Sequence, residues 1–221
     1  MIPMKRQLII LLGILHFPFA MLEAQIPVEF FAGDKKVTAD VMFFKFFKNK
    51  EAQPSNWLFF NRNRVSIDYA MTTTTNLPQF SSTEAFSYNH KSLKGFAPVV
   101  VAQLSSRGVY PKAGIQYAMI KKQVTVFTWV VGETLQDPYI DWFFLGRYTP
   151  EITKTVGLFS QVELINGFPT AKPDAINLIQ RLRLGVVLSH LQVGVGTDFT
   201  SIGRERLTTT QNMGGFVRYE F

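Results

Sequence analysis

Apolar and polar residues alternate along most of the chain, in segments of about ten residues that end in polar or Pro/Gly-containing turns. The alternation is clear in residues 181–189, where Leu182 and Leu184 share one face and Arg181 and Arg183 share the other. Along such segments one face is aliphatic, whereas the other mixes charged residues, amides and glycine. Period-two alternation is typical of β-strands that separate two environments, and helical periodicity is scarce. The pattern predicts an all-β fold.

Ten segments of this kind can be counted. They comprise residues 37–48, 57–71, 95–106, 112–121, 123–133, 138–148, 154–165, 176–188, 190–200 and 212–221. The stretch 72–94 interrupts the series, because it is too long for a turn and shows no clear alternation. It has room for two further strands. We therefore predict ten strands, or twelve if this stretch contributes two.

The links between the segments indicate how the strands are arranged. Short links are predicted at 121–123, 189–190 and 147–154, and longer ones at 49–56, 133–138, 166–175 and 200–212. Short turns on one side and longer loops on the other are typical of transmembrane β-barrels, whose strands need about ten residues to cross a bilayer. We expect a closed antiparallel transmembrane β-barrel. A soluble periplasmic β-sandwich has the same alternation and stays open as an alternative.

Aromatic residues are predicted to lie at both ends of such a barrel. Tyr69, Tyr148 and Tyr219 fall near the expected periplasmic ends of their segments, and Trp57 and Tyr139 fall near the opposite ends. Tyr and Trp favour membrane–water interfaces, because the ring is apolar while one end still forms hydrogen bonds. The placement favours two aromatic girdles, although ordinary core packing would also use these residues.

The N-terminus has the features of a secretory signal peptide. Lys5 and Arg6 precede an apolar stretch at 8–15, and small residues follow at the expected cleavage point. The apolar stretch is shorter than the roughly 20 residues that a membrane-spanning helix needs. Residues 1–24 are therefore predicted to form a cleaved signal peptide, and residues 25–221 a single barrel domain exported across the inner membrane.

Composition narrows the chemistry. The chain has no cysteine, three histidines and a formal net charge of +7. We expect no disulfide, no metal and no other cofactor. His90 lies in the irregular stretch and His190 in a predicted periplasmic turn, and no nucleophile elbow or phosphate-binding loop is present, so we expect no catalytic activity. No nucleic-acid motif accompanies the basic residues, and nucleic acid is not an expected partner.

Charged residues on the inward faces form the candidate site. We predict a polar cluster in the barrel lumen made of Arg62, Arg64, Asp68, Glu163, Arg181, Arg183, Arg218 and Glu220. Glu163 is expected to pair with Arg181 or Arg183 on the next strand. One interpretation, which we favour, is a plug in which paired charges neutralise each other. The other is a narrow, arginine-rich path for small solutes or ions.

The C-terminal segment carries a family resemblance. Val217, Tyr219 and the terminal Phe221 share one face of the last segment. This segment resembles the closing strand of Gram-negative outer-membrane β-barrels, and the leader and the Phe-rich strands are similar to small barrels of Bacteroidetes-type bacteria. The resemblance implies that these three residues form an assembly signal read by the barrel-assembly machinery. It also implies an outer-membrane location among lipid and lipopolysaccharide, and implies no activity.

The expected function is that of an integral outer-membrane β-barrel with a structural, accessory or surface-binding role. Loops at 166–175 and 200–212, the latter with Arg204 and Arg206, are expected to face outward, where lipopolysaccharide phosphates or another envelope protein could bind. A narrow passive channel for small solutes or ions is the alternative.

Overall fold

The structure is a computed structural model that describes residues 26–72, 74–106, 108–133, 139–170 and 175–221. The predicted signal peptide and its cleavage site lie outside the described residues and stay predictions. Within the described part of the chain, no helix is long and apolar enough to cross a membrane.

The described residues form a β-barrel of twelve strands. The strands are β1 (Pro27–Gly33), β2 (Lys36–Lys48), β3 (Pro54–Asp68), β4 (Gln79–Tyr88), β5 (Phe96–Ser105), β6 (Gly108–Ile120), β7 (Val124–Glu133), β8 (Tyr139–Tyr148), β9 (Val156–Pro169), β10 (Ile176–Leu188), β11 (Leu191–Gly203) and β12 (Leu207–Glu220). Each strand pairs with the next in antiparallel fashion, and β12 pairs with β1. Closure leaves no open strand edge with unpaired backbone groups.

The closed antiparallel barrel is confirmed, and it has twelve strands, the number that the sequence offered only as the alternative to ten. One missed strand, β4, lies inside the irregular stretch 72–94, where Ser82 and Glu84 on the outward face weaken the alternation. The other, β1, precedes the first counted segment. Its inward Phe31 breaks the polar-inside pattern because it packs against other aromatic rings inside the barrel.

Because β1 was not counted, β2 and β3 run in the direction opposite to the one expected from the sequence. We call the barrel end that holds Pro27 and Glu220 the terminal end, and the other the distal end. Trp57 lies at the terminal end, where its ring contacts that of Tyr88 at 5.1 Å, and Tyr69 lies at the distal end. Their predicted positions were therefore wrong, because the first strand was not counted. Tyr139, Tyr148 and Tyr219 lie at the ends that the sequence predicted.

The connections between strands have at most ten residues, and short ones occur at both ends. The distal connections are 34–35, 69–78, 106–107, 134–138, 170–175 and 204–206, and the terminal ones are 49–53, 89–95, 121–123, 149–155 and 189–190. The link at 49–53 lies at the terminal end, and most of the expected loop at 200–212 belongs to β11 and β12. The expected division into one end with turns and one with long loops was therefore wrong.

The two faces of the barrel wall differ in polarity. Large apolar side chains point outward from most strands and are exposed; Leu184, for example, is 61% exposed. The outward residues Val217, Tyr219 and Phe221 belong to this surface. Buried charged and amide side chains point inward from the same strands. A continuous apolar surface of this extent is unusual for a soluble monomer.

Candidate functional site: the barrel lumen

The lumen has an apolar half and a charged half. The apolar half is built mainly by inward side chains of β3 to β8 and contains Leu58, Phe60, Val99, Val101, Phe127, Trp129, Val131, Phe143 and Leu145. The charged half is built by β9 to β12 together with β1, β2 and the distal part of β3. Its members are mostly less than one-tenth exposed. Each strand contributes alternate residues, so the wall positions these side chains rigidly.

One ion pair crosses the lumen from wall to wall. Arg62 on β3 donates through Nη1 to Oε2 of Glu163 on β9, at 2.9 Å. β3 and β9 lie on opposite sides of the barrel, six strands apart in either direction. Arg62 also donates to both carboxylate oxygens of Asp40 on the neighbouring strand β2. The guanidinium therefore links three strands and narrows the central cross-section.

Further arginines extend this pair into a network. Arg181 on β10 donates to Glu163 at 3.2 Å, and its Nε lies 3.6 Å from Asp198 on β11. Arg64 on β3 contacts Asp198 at 3.2 Å and also donates to Asp40. Because each of these carboxylates faces two or more arginines, the buried charges compensate each other.

Arg183 forms the other edge of the network. It contacts Asp198 at 2.8 Å and Glu29 on β1 at 3.0 Å. Its guanidinium carbon lies 3.9 Å from the centroid of the Phe31 ring. A Cβ atom at Gly196 would lie 2.6 Å from Cδ of Arg183, so a glycine is needed for the arginine to lie against the wall.

We define the lumenal ion-pair network as Glu29, Asp40, Arg62, Arg64, Glu163, Arg181, Arg183 and Asp198. Five residues of the predicted polar cluster therefore lie together in it. Glu163 pairs with Arg181, as the sequence suggested, whereas Arg183 pairs with other carboxylates. Arg218 and Glu220 lie outside the network, 3.6 Å from each other. Asp68 lies at the distal end, where its carboxylate accepts a hydrogen bond from the Ala70 amide.

Sequence reasoning missed three carboxylates of the network. Glu29 lies on the uncounted strand β1. Asp40 faces Arg64 in the register of β2 and β3, and Asp198 faces Arg181 in that of β10 and β11. Asp198 could have been predicted from the sequence. It lies an even number of positions from Gln192 on the same alternating segment, so both side chains point inward.

Aromatic rings fill the lumen beside the network. We call Phe44, Phe60, Phe127, Trp129 and Phe143 the aromatic layer. Phe60 stacks on Phe127 with ring centroids 5.4 Å apart, and Phe44 on β2 reaches Phe127 on β7 at 4.8 Å. Trp129 lies 5.1 Å from both Phe60 and Phe143. Contacts between strands so far apart in the barrel narrow the lumen strongly.

A large cavity, which we call the vestibule, opens at the terminal end. Its volume is about 630 Å³. Its wall carries the basic residues Lys121, Lys122, Lys154 and Arg147, and Phe44 of the aromatic layer also lines it. A void of about 10 Å³ lies next to the vestibule, between Gln161, Arg218 and carboxylates of the network. The vestibule therefore lies on the terminal side of the aromatic layer, and the small void lies on the terminal side of the network.

The two histidines of the described chain lie at the terminal end and outside the lumenal network. Nδ1 of His90 is 2.6 Å from the Ser92 hydroxyl, and the His190 ring packs near Tyr219. Among the described residues, no group of three or more His, Cys, Asp or Glu side chains is arranged to hold a metal ion.

No protein-family model matches the sequence, and no curated protein matches it. Solved structures of similar architecture include the NanC porin, with a TM-score of 0.51 over 90% of this chain and 99% of that chain, at 8% sequence identity. The KdgM porin gives a TM-score of 0.46 over 89% of this chain and 99% of that chain, at 12% sequence identity. Of the two, only the NanC porin has a TM-score above 0.5. Because its sequence identity to this chain is 8%, this similarity supports a porin-type barrel fold and nothing more.

Proposed function

We propose that the protein is an integral outer-membrane β-barrel that acts as a narrow passive channel for small solutes or ions. The observation that carries the proposal is the vestibule of about 630 Å³, which leads from the terminal end into a lumen lined by charged side chains. The proposal adopts what we set out as the alternative from the sequence. The porin fold supports it over a purely structural barrel.

The outer wall of the barrel supports a location in a membrane. Apolar side chains such as Leu184, Val195 and Ile115 are each more than half exposed. Closed barrels and helices are the structures that satisfy every backbone polar group in lipid. Burying this wall in hydrocarbon removes its apolar surface from water. Lipid and lipopolysaccharide are accordingly proposed as its surroundings.

The expected route of a solute passes the aromatic layer and the lumenal ion-pair network. Both levels narrow the lumen, so we propose low conductance that excludes large solutes. The absence of catalysis, recognition by the barrel-assembly machinery, contacts with other envelope proteins and the Bacteroidetes-type origin stay predictions.

Liposome swelling with two phenylalanine variants tests the proposal. Phe60 is 2% exposed and lies in the aromatic layer, whereas Phe30 points outward and is 57% exposed. Phe60→Ala is expected to speed the entry of a small sugar or salt into vesicles relative to the wild type, and Phe30→Ala is expected to leave the rate unchanged. If neither the wild type nor Phe60→Ala admits any solute although both are folded and inserted, the proposal is wrong.

A sealed barrel is the second candidate, and one observation favours it. The pair between Arg62 and Glu163 spans the lumen, and both side chains are almost completely buried. In a sealed barrel this pair would brace the two walls, and the protein would serve as a scaffold in the membrane. The same swelling experiment separates the two functions.

A further inference from the structure

Two arginines near the floor of the vestibule are held close together, and only one of them has a carboxylate nearby. Arg147 on β8 and Arg218 on β12 donate to the same acceptor, Oε1 of Gln161 on β9, at 2.8 and 3.1 Å. Their guanidinium carbons also lie 6.0 and 5.5 Å from the centroid of the Phe159 ring. One amide and one ring thus hold two like charges together.

Both side chains keep donor atoms without a partner in the described chain. Nη2 of Arg147 and Nε and Nη2 of Arg218 are buried and form no hydrogen bond there. Arg218 is 2% exposed and has Glu220 at 3.6 Å. No carboxylate of the described residues pairs with Arg147. A buried charge without a counter-charge is strongly unfavourable, and the single carboxylate of Glu220 leaves the two guanidinium groups one negative charge short.

The neighbouring carboxylates do not supply that charge. Glu29 is bound to Arg183, and Asp40 and Glu163 are bound to Arg62. Turning any of them towards Arg147 would leave another buried arginine without its partner. The described residues therefore supply no second carboxylate to the two arginines, and an ion from solution can supply the missing charge.

The vestibule gives a soluble ion access to Arg147, and the small void at Arg218 lies next to the vestibule. Arg147 and Gln192 line the vestibule, and Gln192 faces Arg218 in the register of β11 and β12. Gln192 is 3% exposed, and its Nε2 donates to Glu220 at 2.9 Å. Its Oε1 is buried and accepts no hydrogen bond in the described chain. A hydrogen-bond acceptor thus lies on the strand next to Arg218 and in the same cavity wall as Arg147.

We propose that Arg147 and Arg218 form a binding site for a small oxyanion that also carries a hydroxyl, such as hydrogen phosphate. The planar guanidinium groups match the oxygens of such an anion. Its O–H group donates to Oε1 of Gln192, which sulfate at neutral pH cannot do. Because the site lies inside the barrel, it takes a dissolved ion and no lipid headgroup. Binding does not require that the barrel conducts.

Isothermal titration of the detergent-purified barrel with inorganic phosphate tests the site. Arg147→Gln removes one guanidinium, and Arg206→Gln is the matched control, since it removes the same charge from an exposed distal turn. We expect phosphate to bind the wild type and the control equally, and Arg147→Gln to bind at least about tenfold more weakly, or by about 1.4 kcal/mol. Sulfate is expected to bind the wild type more weakly than phosphate.

Two results would overturn the proposal. One is a folded wild type that binds no phosphate at millimolar concentrations; the other is an Arg147→Gln protein that binds it unchanged. If Arg147→Gln fails to fold, Arg147→Lys keeps the charge and loses the planar fork, and equal phosphate binding by that variant would also refute the site. Equal binding of sulfate and phosphate would refute the role of Gln192. Conductance plays no part in these readouts, so a non-conducting barrel can still bind the ion.

Discussion

Glu163 is the residue whose removal should weaken the barrel most clearly. Its side chain is 3% exposed and accepts hydrogen bonds from Arg62 at 2.9 Å, from Arg181 at 3.2 Å and from Gln161 at 2.7 Å. Glu163→Ala removes all three contacts and both ion pairs. Breaking a buried ion pair by removing one partner costs about 3 to 5 kcal/mol. In the variant, Arg62 still pairs with Asp40 and Arg181 still lies next to Asp198. We therefore expect the free energy of unfolding to fall by about 3 kcal/mol, the lower end of this range.

The assay is urea unfolding of the refolded barrel in lipid vesicles, followed by tryptophan fluorescence. The matched control is Glu151→Ala, which breaks the exposed pair between Glu151 and Lys122 at 2.7 Å. Exposed pairs contribute at most about 1 kcal/mol, so the control should unfold close to the wild type. If Glu163→Ala lowers the free energy of unfolding no more than Glu151→Ala does, the network does not stabilise the barrel as described.

Further predictions concern the outer wall and the last strand. Leu184→Arg places a charge on the exposed apolar face and should lower the free energy of unfolding in lipid by up to about 4 kcal/mol, whereas an unchanged value would place this face outside the bilayer. Among single-tryptophan proteins, the exposed Trp142 should be quenched by brominated lipid and the buried Trp129 should not; equal quenching would refute the assignment of faces. Replacing Tyr219 and Phe221 by Ser should leave unfolded protein in the periplasm, and normal membrane fractionation with heat-modifiability would argue against an assembly signal.

The fold could be predicted where each face of a strand had one chemical character. In β10 the aliphatic residues point outward and the arginines inward, so periodicity identifies the strand. In β1 and β4 this rule fails. Phe31 points into the lumen because it packs there against Phe159 and Phe216, and Glu84 of β4 lies on the outward face. Missing two strands preserved the even number, so all strands after β4 kept their predicted direction.

The candidate site could be predicted only as a set of inward-facing residues. The alternation along each strand indicated that Glu163 and Arg181 point inward, and the order of the segments placed them on adjacent strands. The pair between Arg62 and Glu163 could not be predicted, because the partners are 101 positions apart and alternation along a strand does not show which side chains reach across the lumen. The aromatic layer was missed for a related reason: alternation assigns apolar residues to the outer face, and Phe60 and Phe127 lie on the inner one.

Single-channel recording of the purified wild-type protein in a planar bilayer tests the central claim most directly. The protein should first be shown to be folded by heat-modifiability on a gel. A narrow channel whose lumen is constricted by the aromatic layer and the ion-pair network predicts small, discrete and uniform current steps. A folded, inserted protein that leaves the bilayer without current steps would contradict the channel and leave the sealed barrel as the function.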